Sequence, residues 1–371
     1  RLQNEYECFF FIADWHALTT HYDDPRVIEE SVWDMVIDWI AAGVDPQSAT
    51  LFIQSRVPEH AELYVLLSMI TPLPWLERIP SYKDQQAKLK DKDLGTYGFL
   101  GYPLLQSADI LAYRAALVPV GEDQVAHVEL TREVARRFNH LYGREPGFEE
   151  RAEAAIARMG KKTAKLYRDR RTAYLERGDR EALDTARALL EKQKNVTLGE
   201  KELLFGYLEG GGRMILTEPR ALLTIAPKMP GLDGQKMSKS YNNTISLRDT
   251  PDEVTQKIRT MPTDPARIRR TDPGDPAKCP VWEFHTVYSD DKIKDWVQAG
   301  CRSAGIGCLE CKQPVIDAVQ AELAPLRERA QLLTQDPTEV KNIVDDGCRR
   351  ARAAAEATLA DARRAMGLAY N

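Results

Sequence analysis

The chain has 371 residues, 43% of them hydrophobic and 29% charged, too many for one typical domain, so two globular domains are expected. A net charge of −5 excludes a protein that coats nucleic acid by charge alone, although local basic patches still permit contact with one particular RNA. No apolar run reaches the roughly 20 residues of a membrane span.

The opening Arg1-Leu2-Gln3-Asn4-Glu5 reads as the end of a helix with no Met before it, and a further segment is expected upstream. Residues 6–13, with Phe9-Phe10-Phe11-Ile12, read as a buried strand. A helix over 25–42 is ended by Gly43; a second strand spans 49–54 and a second helix 58–70. A short strand over 117–120 leads into a helix over 124–139. Strands alternating with helices predict an α/β fold, a parallel sheet with helices on both faces and ligands beyond the carboxyl ends of the strands.

From 145 to about 213 aliphatics thin out and charges crowd, as in Lys161-Lys162-Thr163-Ala164-Lys165-Leu166-Tyr167-Arg168-Asp169-Arg170-Arg171. This reads as a peripheral helical insertion; solvated helix faces are the commoner meaning of such a run, an RNA-contacting patch the rarer one. Gly210-Gly211-Gly212, without a following Lys-Ser/Thr, reads as a helix terminator rather than a phosphate loop. After about Pro251 strand signals stop, and 342–368 forms one long Ala/Arg/Asp helical pattern.

Lys236-Met237-Ser238-Lys239-Ser240, preceded by Gly231-Leu232-Asp233-Gly234-Gln235, is the strongest chemical signal. It resembles the signature loop of class I aminoacyl-tRNA synthetases. When a carboxylate attacks the α-phosphorus of ATP, charge builds on the departing pyrophosphate, and two lysines on a mobile loop can neutralise it. A contact of that kind raises rate more than it tightens ground-state binding.

The second signal, Gly121-Glu122-Asp123-Gln124-Val125-Ala126-His127, sits at the carboxyl end of a strand and opens a helix. Together with Phe99-Leu100-Gly101-Tyr102-Pro103-Leu104-Leu105-Gln106-Ser107-Ala108-Asp109-Ile110 it closely resembles the tryptophanyl-tRNA synthetase family of bacterial type. The resemblance implies a Rossmann-type catalytic domain over 1–250, the insertion inside it, and a helical anticodon-binding domain over 251–371. Asp109 matches the acceptor of the indole N–H, Tyr102 and Gln124 residues around the α-ammonium group, and Val118 and Val120 apolar contacts to the ring. His16 matches a histidine lining the same site, Gln106 stands where some relatives have Met, and Asp123, beside Gly121, matches a residue near the ATP ribose. Lys236, Met237, Ser238 and Lys239 are the implied ATP-binding loop, with Lys236 and Lys239 catalytic. The reading of the residues agrees: indole is a large apolar ring with one donor, and Asp109 is a carboxylate on an otherwise hydrophobic stretch.

The resemblance also implies ATP with Mg²⁺, tRNA(Trp) and tryptophan as partners, a homodimer, and a phosphate-cradling H-x-G-H-like motif upstream of Arg1. His60-Ala61-Glu62-Leu63 does not fit that motif. Two other readings stay open: a synthetase for another aromatic amino acid, tyrosine in particular, and a non-catalytic synthetase-like protein that binds tRNA or tryptophan.

Six cysteines in a long chain with no signal peptide suggest the cytoplasm and a metal rather than disulfides. Cys279, Cys301, Cys308 and Cys311, spaced C-x21-C-x6-C-x2-C, are expected to bind one centre, tetrahedral zinc or a [4Fe–4S] cluster. A subset of the family carries a cluster on nearly this spacing, with one more residue in the long gap, which favours the cluster. Cys8 and Cys348 read as ordinary thiols. Arg349, Arg350, Arg352, Arg363 and Arg364 are candidates for phosphate contacts, though solvated helix faces are the commoner role for each.

Overall fold

The computed structural model describes residues 2–79, 95–143, 147–210, 214–223, 229–235, 237 and 243–370. β1 (Cys8–Ile12) leads into α1 (Asp14–His21), and α2 (Arg26–Ala41) into β2 (Ala49–Ile53), α3 (Glu59–Ser68) and α4 (Leu73–Glu77). α5 (Tyr97–Leu111) precedes β3 (Leu117–Val120), which a 3-10 turn, Glu122–Gln124, joins to α6 (Val125–Tyr142). Then come α7 (Phe148–Arg158), α8 (Lys161–Arg177), α9 (Arg180–Glu191), α10 (Leu198–Leu208) and β4 (Arg220–Leu223). The remaining elements are helical: α11 (Pro251–Thr260), α12 (Pro280–Tyr288), α13 (Asp291–Arg302), α14 (Cys308–Gln335) and α15 (Pro337–Ala365).

The expected α/β order is present. Among the described residues, however, the strands form two two-stranded pieces, β1 with β2 and β3 with β4, rather than one continuous sheet. β3 and β4 are parallel, from Leu117 opposite Arg220 to Val120 opposite Leu223. β2 is buried at every residue, as a strand covered on both faces must be. β3 alternates exposed and half-buried side chains, so one face of it stays open.

Two compact units emerge. One comprises Arg1–Cys8, Glu29–Ala49 and Ile225–Asp345; the other comprises Phe9–Ile28, Thr50–Thr224 and Asp346–Asn371. In the first, α11, α12 and α14 pack around Val254, Ile258, Val281, Phe284 and Val315. α11 starts where Thr250-Pro251-Asp252-Glu253 predicts a start: the Thr250 hydroxyl accepts from the Glu253 N–H and the Glu253 carboxylate accepts from the Thr250 N–H.

In the second unit, Gly347 of α15 lies against the backbone of β2. A Cβ there would run into the Leu51 carbonyl. The C-terminal arginines of this helix, the candidates for phosphate contacts, are each paired with an acid of the chain. Arg352 reaches Glu59 at 3.1 Å, and Arg363 holds Glu62. Arg349 and Arg350 both pair with Asp346, and Arg364 pairs with Asp361.

The helices α7 to α10 have a core of their own, including Ile156, Tyr167, Leu183, Leu190, Leu204 and Leu208. Charges in α8 are partly spent inside this group. Arg168 pairs with Glu153, and the Arg171 guanidinium lies 3.9 Å from the Tyr207 ring centroid. Gly210, with φ +74°, follows α10 as a terminator; Gly211 and Gly212 lie outside the described residues.

Candidate active site

α5 builds the centre of the site. Thr96 caps it by accepting from the Phe99 N–H at 3.3 Å, and Tyr102, Gln106 and Asp109 then fall at i, i+4 and i+7 on one face. Ser107 on the neighbouring stripe meets Thr131 of α6 at 3.0 Å, which fixes the two helices face to face.

Asp109 is 2% exposed and satisfied from three other elements. Its Oδ2 accepts from His16 Nε2 at 2.7 Å, and its Oδ1 accepts from Gln54 Nε2 at 2.7 Å and from His60 Nδ1 at 2.6 Å. His16 is on α1 just past β1, Gln54 directly follows β2, and His60 is in the first turn of α3. The carboxyl ends of the strands therefore deliver donors to one carboxylate, where such folds place their ligands. Burial by itself would raise the Asp109 pKa; hydrogen bonds and electrostatic attraction from His16 and His60 outweigh it and hold the carboxyl below its ordinary value.

Behind His60 stands Tyr113, its hydroxyl 2.6 Å from Nε2. Burial, with the Asp109 charge adding to it, pushes the Tyr113 phenol far up, so the O–H keeps its proton. With Nδ1–H of His60 directed at the carboxylate, its Nε2 faces the phenol O–H, which is placed to donate to it. Phe9 stacks on Tyr113 at 4.4 Å between centroids and Phe52 leans on it at 5.4 Å, so the pair is held in an aromatic wall.

The His16 ring lies edge-on to Tyr102 at 6.3 Å, and Tyr102 also packs against His127 at 5.5 Å. His127 Nδ1 donates to Gln106 Oε1 at 2.6 Å. Its pKa is lowered, first by burial and then by His16, with Asp123 opposing. Beside this cluster α1, α3 and α5 line an open pocket of about 490 Å³, with Trp15, Tyr64, Tyr97, Tyr102 and Leu105 among its walls, which suit an aromatic group.

At the end of β3, Val118 and Val120 are the half-buried residues of the strand. Gln124 Nε2 donates to Asp123 Oδ2 at 3.2 Å. Gly121 has ordinary extended backbone, φ −73° and ψ 165°, which any residue adopts. A Cβ at Gly121 would come 2.8 Å from Asp123 Oδ1, the movable tip of a side chain.

Of the signature loop, Met237 is described; Lys236, Ser238, Lys239 and Ser240 lie outside the described residues. Met237 packs with Met229 and Leu232 on the core of α11, α12 and α14. The turn before it is tightly bonded: the Asp233 carboxylate accepts from Gln235 N–H at 3.0 Å and from Asn243 Nδ2 at 2.7 Å, and Gly234 has φ +81°. The loop thus springs from a fixed base.

Cys279 precedes α12, Cys301 ends α13, and Cys308 and Cys311 open α14; all four line one cavity of about 20 Å³ with Arg267 and Lys312. The structure brings together the four cysteines that the spacing singles out. Among the described residues no group of three or more His, Cys, Asp or Glu is set to hold a metal ion. The thiols have other partners: Arg267 Nη1 is 3.8 Å from the Cys301 sulfur and His285 Nε2 3.4 Å from the Cys311 sulfur. In the absence of a metal, burial raises Cys279, and burial with the neighbouring cysteines pushes Cys311 up to about 12.

Gln54, His60, Tyr113 and His127 were not among the sequence-derived candidates. His60 fails the phosphate motif, and nothing in its own neighbourhood announces a partner 49 residues away. The one available signal was Asp109 itself, since a carboxylate on an apolar helix needs donors from elsewhere.

The family profile described as tRNA synthetases class I (W and Y) matches residues 1–161 and 192–324. A tryptophan–tRNA ligase of Ralstonia nicotianae is 66% identical over 371 residues, covering 100% of this chain and 93% of that protein. One of Thermotoga maritima is 41% identical and covers 100% of this chain and 92% of its own length. Among solved structures, tryptophanyl-tRNA synthetase of Campylobacter jejuni complexed with ADP and tryptophan aligns with a TM-score of 0.72 and 27% identity. That match covers 99% of this chain and 91% of the other.

Proposed function

This chain belongs to the class I tRNA synthetases that serve tryptophan and tyrosine, and from that premise we propose that it ligates tryptophan to tRNA(Trp) at the expense of ATP. The observation that carries the choice of amino acid is Asp109: a buried, ionised acceptor on a helix face shared with Tyr102 and Gln106. Indole offers one donor on an apolar body, and such a site rejects side chains that cannot donate at that point.

In this reading Asp109 takes the indole N–H, His16, Gln106, Val118 and Val120 line the ring, and Tyr102 and Gln124 meet the α-ammonium group. Asp123 and Gly121 stand by the ribose of ATP, which enters as its Mg²⁺ complex. A carboxylate oxygen of tryptophan bonds to the α-phosphorus while the bond to the bridging oxygen of pyrophosphate breaks. Lys236 and Lys239 neutralise the charge that this leaves on pyrophosphate. The terminal ribose hydroxyl of the tRNA then attacks the carbonyl carbon, and AMP departs. No side-chain nucleophile is required, since positioning and charge stabilisation carry the rate.

Residues 1–250 would form the catalytic domain and 251–371 the anticodon-binding domain, with pairing into a homodimer through the former; light scattering tests the dimer. The four cysteines around one cavity are the support for a proposed [4Fe–4S] site of structural role. Anaerobic purification with iron, sulfide and zinc analysis tests it, and absence of all three disposes of it. The activity is tested by amino-acid-dependent ATP–pyrophosphate exchange, followed by charging of tRNA(Trp). Exchange with tryptophan at least about a hundredfold above tyrosine is expected from the donor requirement. Exchange with tyrosine alone, or with neither, overturns the assignment.

A further inference from the structure

We propose that Gln54 and His60, the latter backed by Tyr113, are positioning residues that turn Asp109 into a selective acceptor for a single substrate N–H. The inference deepens the proposed function and rests on Asp109 being the indole acceptor.

A carboxylate has about four acceptor positions, two on each oxygen. On Asp109, Oδ1 serves two donors, Gln54 Nε2 and His60 Nδ1, and Oδ2 serves one, His16 Nε2. Three positions are thus taken by described donors and the fourth belongs to Oδ2, the oxygen on the His16 side. His16 is the partly exposed member of the set, with 20% of its side chain accessible, while those of His60 and Asp109 are wholly buried. The buried pair of donors therefore locks the inner oxygen and leaves the outer one for a ligand.

Two features argue against mere packing. Gln54 is fully buried, and its Oε1 has no hydrogen-bond partner among the described residues, although its Nε2 is engaged. An orphaned buried acceptor carries a cost that a bound donor relieves, which is the expected state of a site shaped for a ligand. Second, His60 uses both ring nitrogens, one toward Asp109 and one toward the Tyr113 hydroxyl, so its orientation is fixed from both ends. An apolar residue of similar volume would fill the space but fix nothing. The arrangement follows the logic by which outer partners orient a ligand-binding group in other sites.

The test uses the full-length protein and reads tryptophan and phenylalanine binding by calorimetry, with thermal unfolding of each variant alongside. Phenylalanine lacks the donor, so the ratio of the two affinities reports the acceptor and not the packing. His60→Leu and Gln54→Leu are each expected to lower tryptophan affinity about 10- to 100-fold with little change for phenylalanine, and Tyr113→Phe about 2- to 10-fold. His60→Asn, which keeps a donor at the Nδ1 position, should recover most of the loss. ATP affinity should not move. An unchanged tryptophan-to-phenylalanine ratio in whichever of the three variants unfold cooperatively overturns the proposal, while Asp109→Asn still loses tryptophan. If Asp109→Asn itself leaves tryptophan affinity unchanged, the reading of the site fails instead.

Discussion

Asparagine at position 109 would present one acceptor oxygen and one NH2 group to three converging donors, so at least one of Gln54, His60 and His16 would face an N–H. Asp109→Asn is therefore expected to cost more than one charge-assisted bond, at or above the roughly 1.5–3 kcal/mol usual for it, in kcat/KM for tryptophan with KM for ATP unchanged. Steady-state exchange kinetics measure this, and equal losses for both substrates would show damage to the fold instead. His127 supplies a second residue-scale expectation. Its pKa lies below the ordinary 6.5, because burial and His16 disfavour the charged ring more than Asp123 favours it. The unfolded chain takes up a proton near that ordinary value and the folded chain resists it. Its contribution is therefore whole above about pH 6.5 and lost as pH falls below it, by at most about 1.4 kcal/mol per pH unit for one proton. Urea unfolding between pH 7.5 and 5.5 should show a shallower decline in His127→Gln than in the parent, and parallel slopes would assign the pH dependence to other groups.

Elements differ in how plainly their sequences announce them. α11 is written in Thr250-Pro251-Asp252-Glu253 because a cap, a Pro at the first turn and a returning carboxylate are local devices. β3 was legible to the residue, and the helix over 25–42 to within one residue at each end, since apolar periodicity is likewise local. The wiring of Asp109 was not legible, because its donors come from α1, the end of β2 and α3, each with an unremarkable local pattern. Gly347 is a similar case. In the Ala-rich α15 a glycine reads as a weak point of about 1 kcal/mol, to be improved by alanine. The contact with β2 reverses that sign: a Cβ would meet the Leu51 carbonyl, and backbone cannot swing aside as a side chain can. Gly347→Ala is expected to destabilise by at least about 1–3 kcal/mol despite the gain in helix propensity. A rise in melting temperature would mean that α15 and β2 are not in contact at this point.

At the scale of the whole molecule, the helices α7 to α10 behave as a body with its own core, rooted at one place. Asn139, near the end of α6, accepts from the N–H groups of Ile215 and Leu216 and donates to the Leu216 carbonyl, while His140 meets the Gly210 carbonyl at 3.0 Å. The two ends of the excursion thus meet at the last turn of one helix. Between α6 and this body lies a cavity of about 880 Å³ with Trp75, Arg137, Phe148 and Leu203 among its walls. The family profile passes over 162–191, which is nearly all of α8 and α9, yet those helices contribute Tyr167, Leu183 and Leu190 to the insertion core. Two deletions should therefore behave oppositely. Joining Gly143 to Met214 through a short glycine-serine linker removes the whole body with its core and leaves Asn139 and its partners in place. That variant is expected to unfold cooperatively and to bind tryptophan within about twofold of the parent, a change under ~0.5 kcal/mol. Removing 162–191 alone is the smaller cut but strips Ile156, Leu204 and Leu208 of their partners. At about 1.5–3 kcal/mol for each large apolar side chain returned to water, what remains of the insertion cannot stay packed. Thermal unfolding and protease sensitivity between Phe148 and Leu208 measure both. Should the larger deletion unfold the chain while the smaller one is tolerated, α7 and α10 belong to the core of the unit, and only α8 and α9 are pendant.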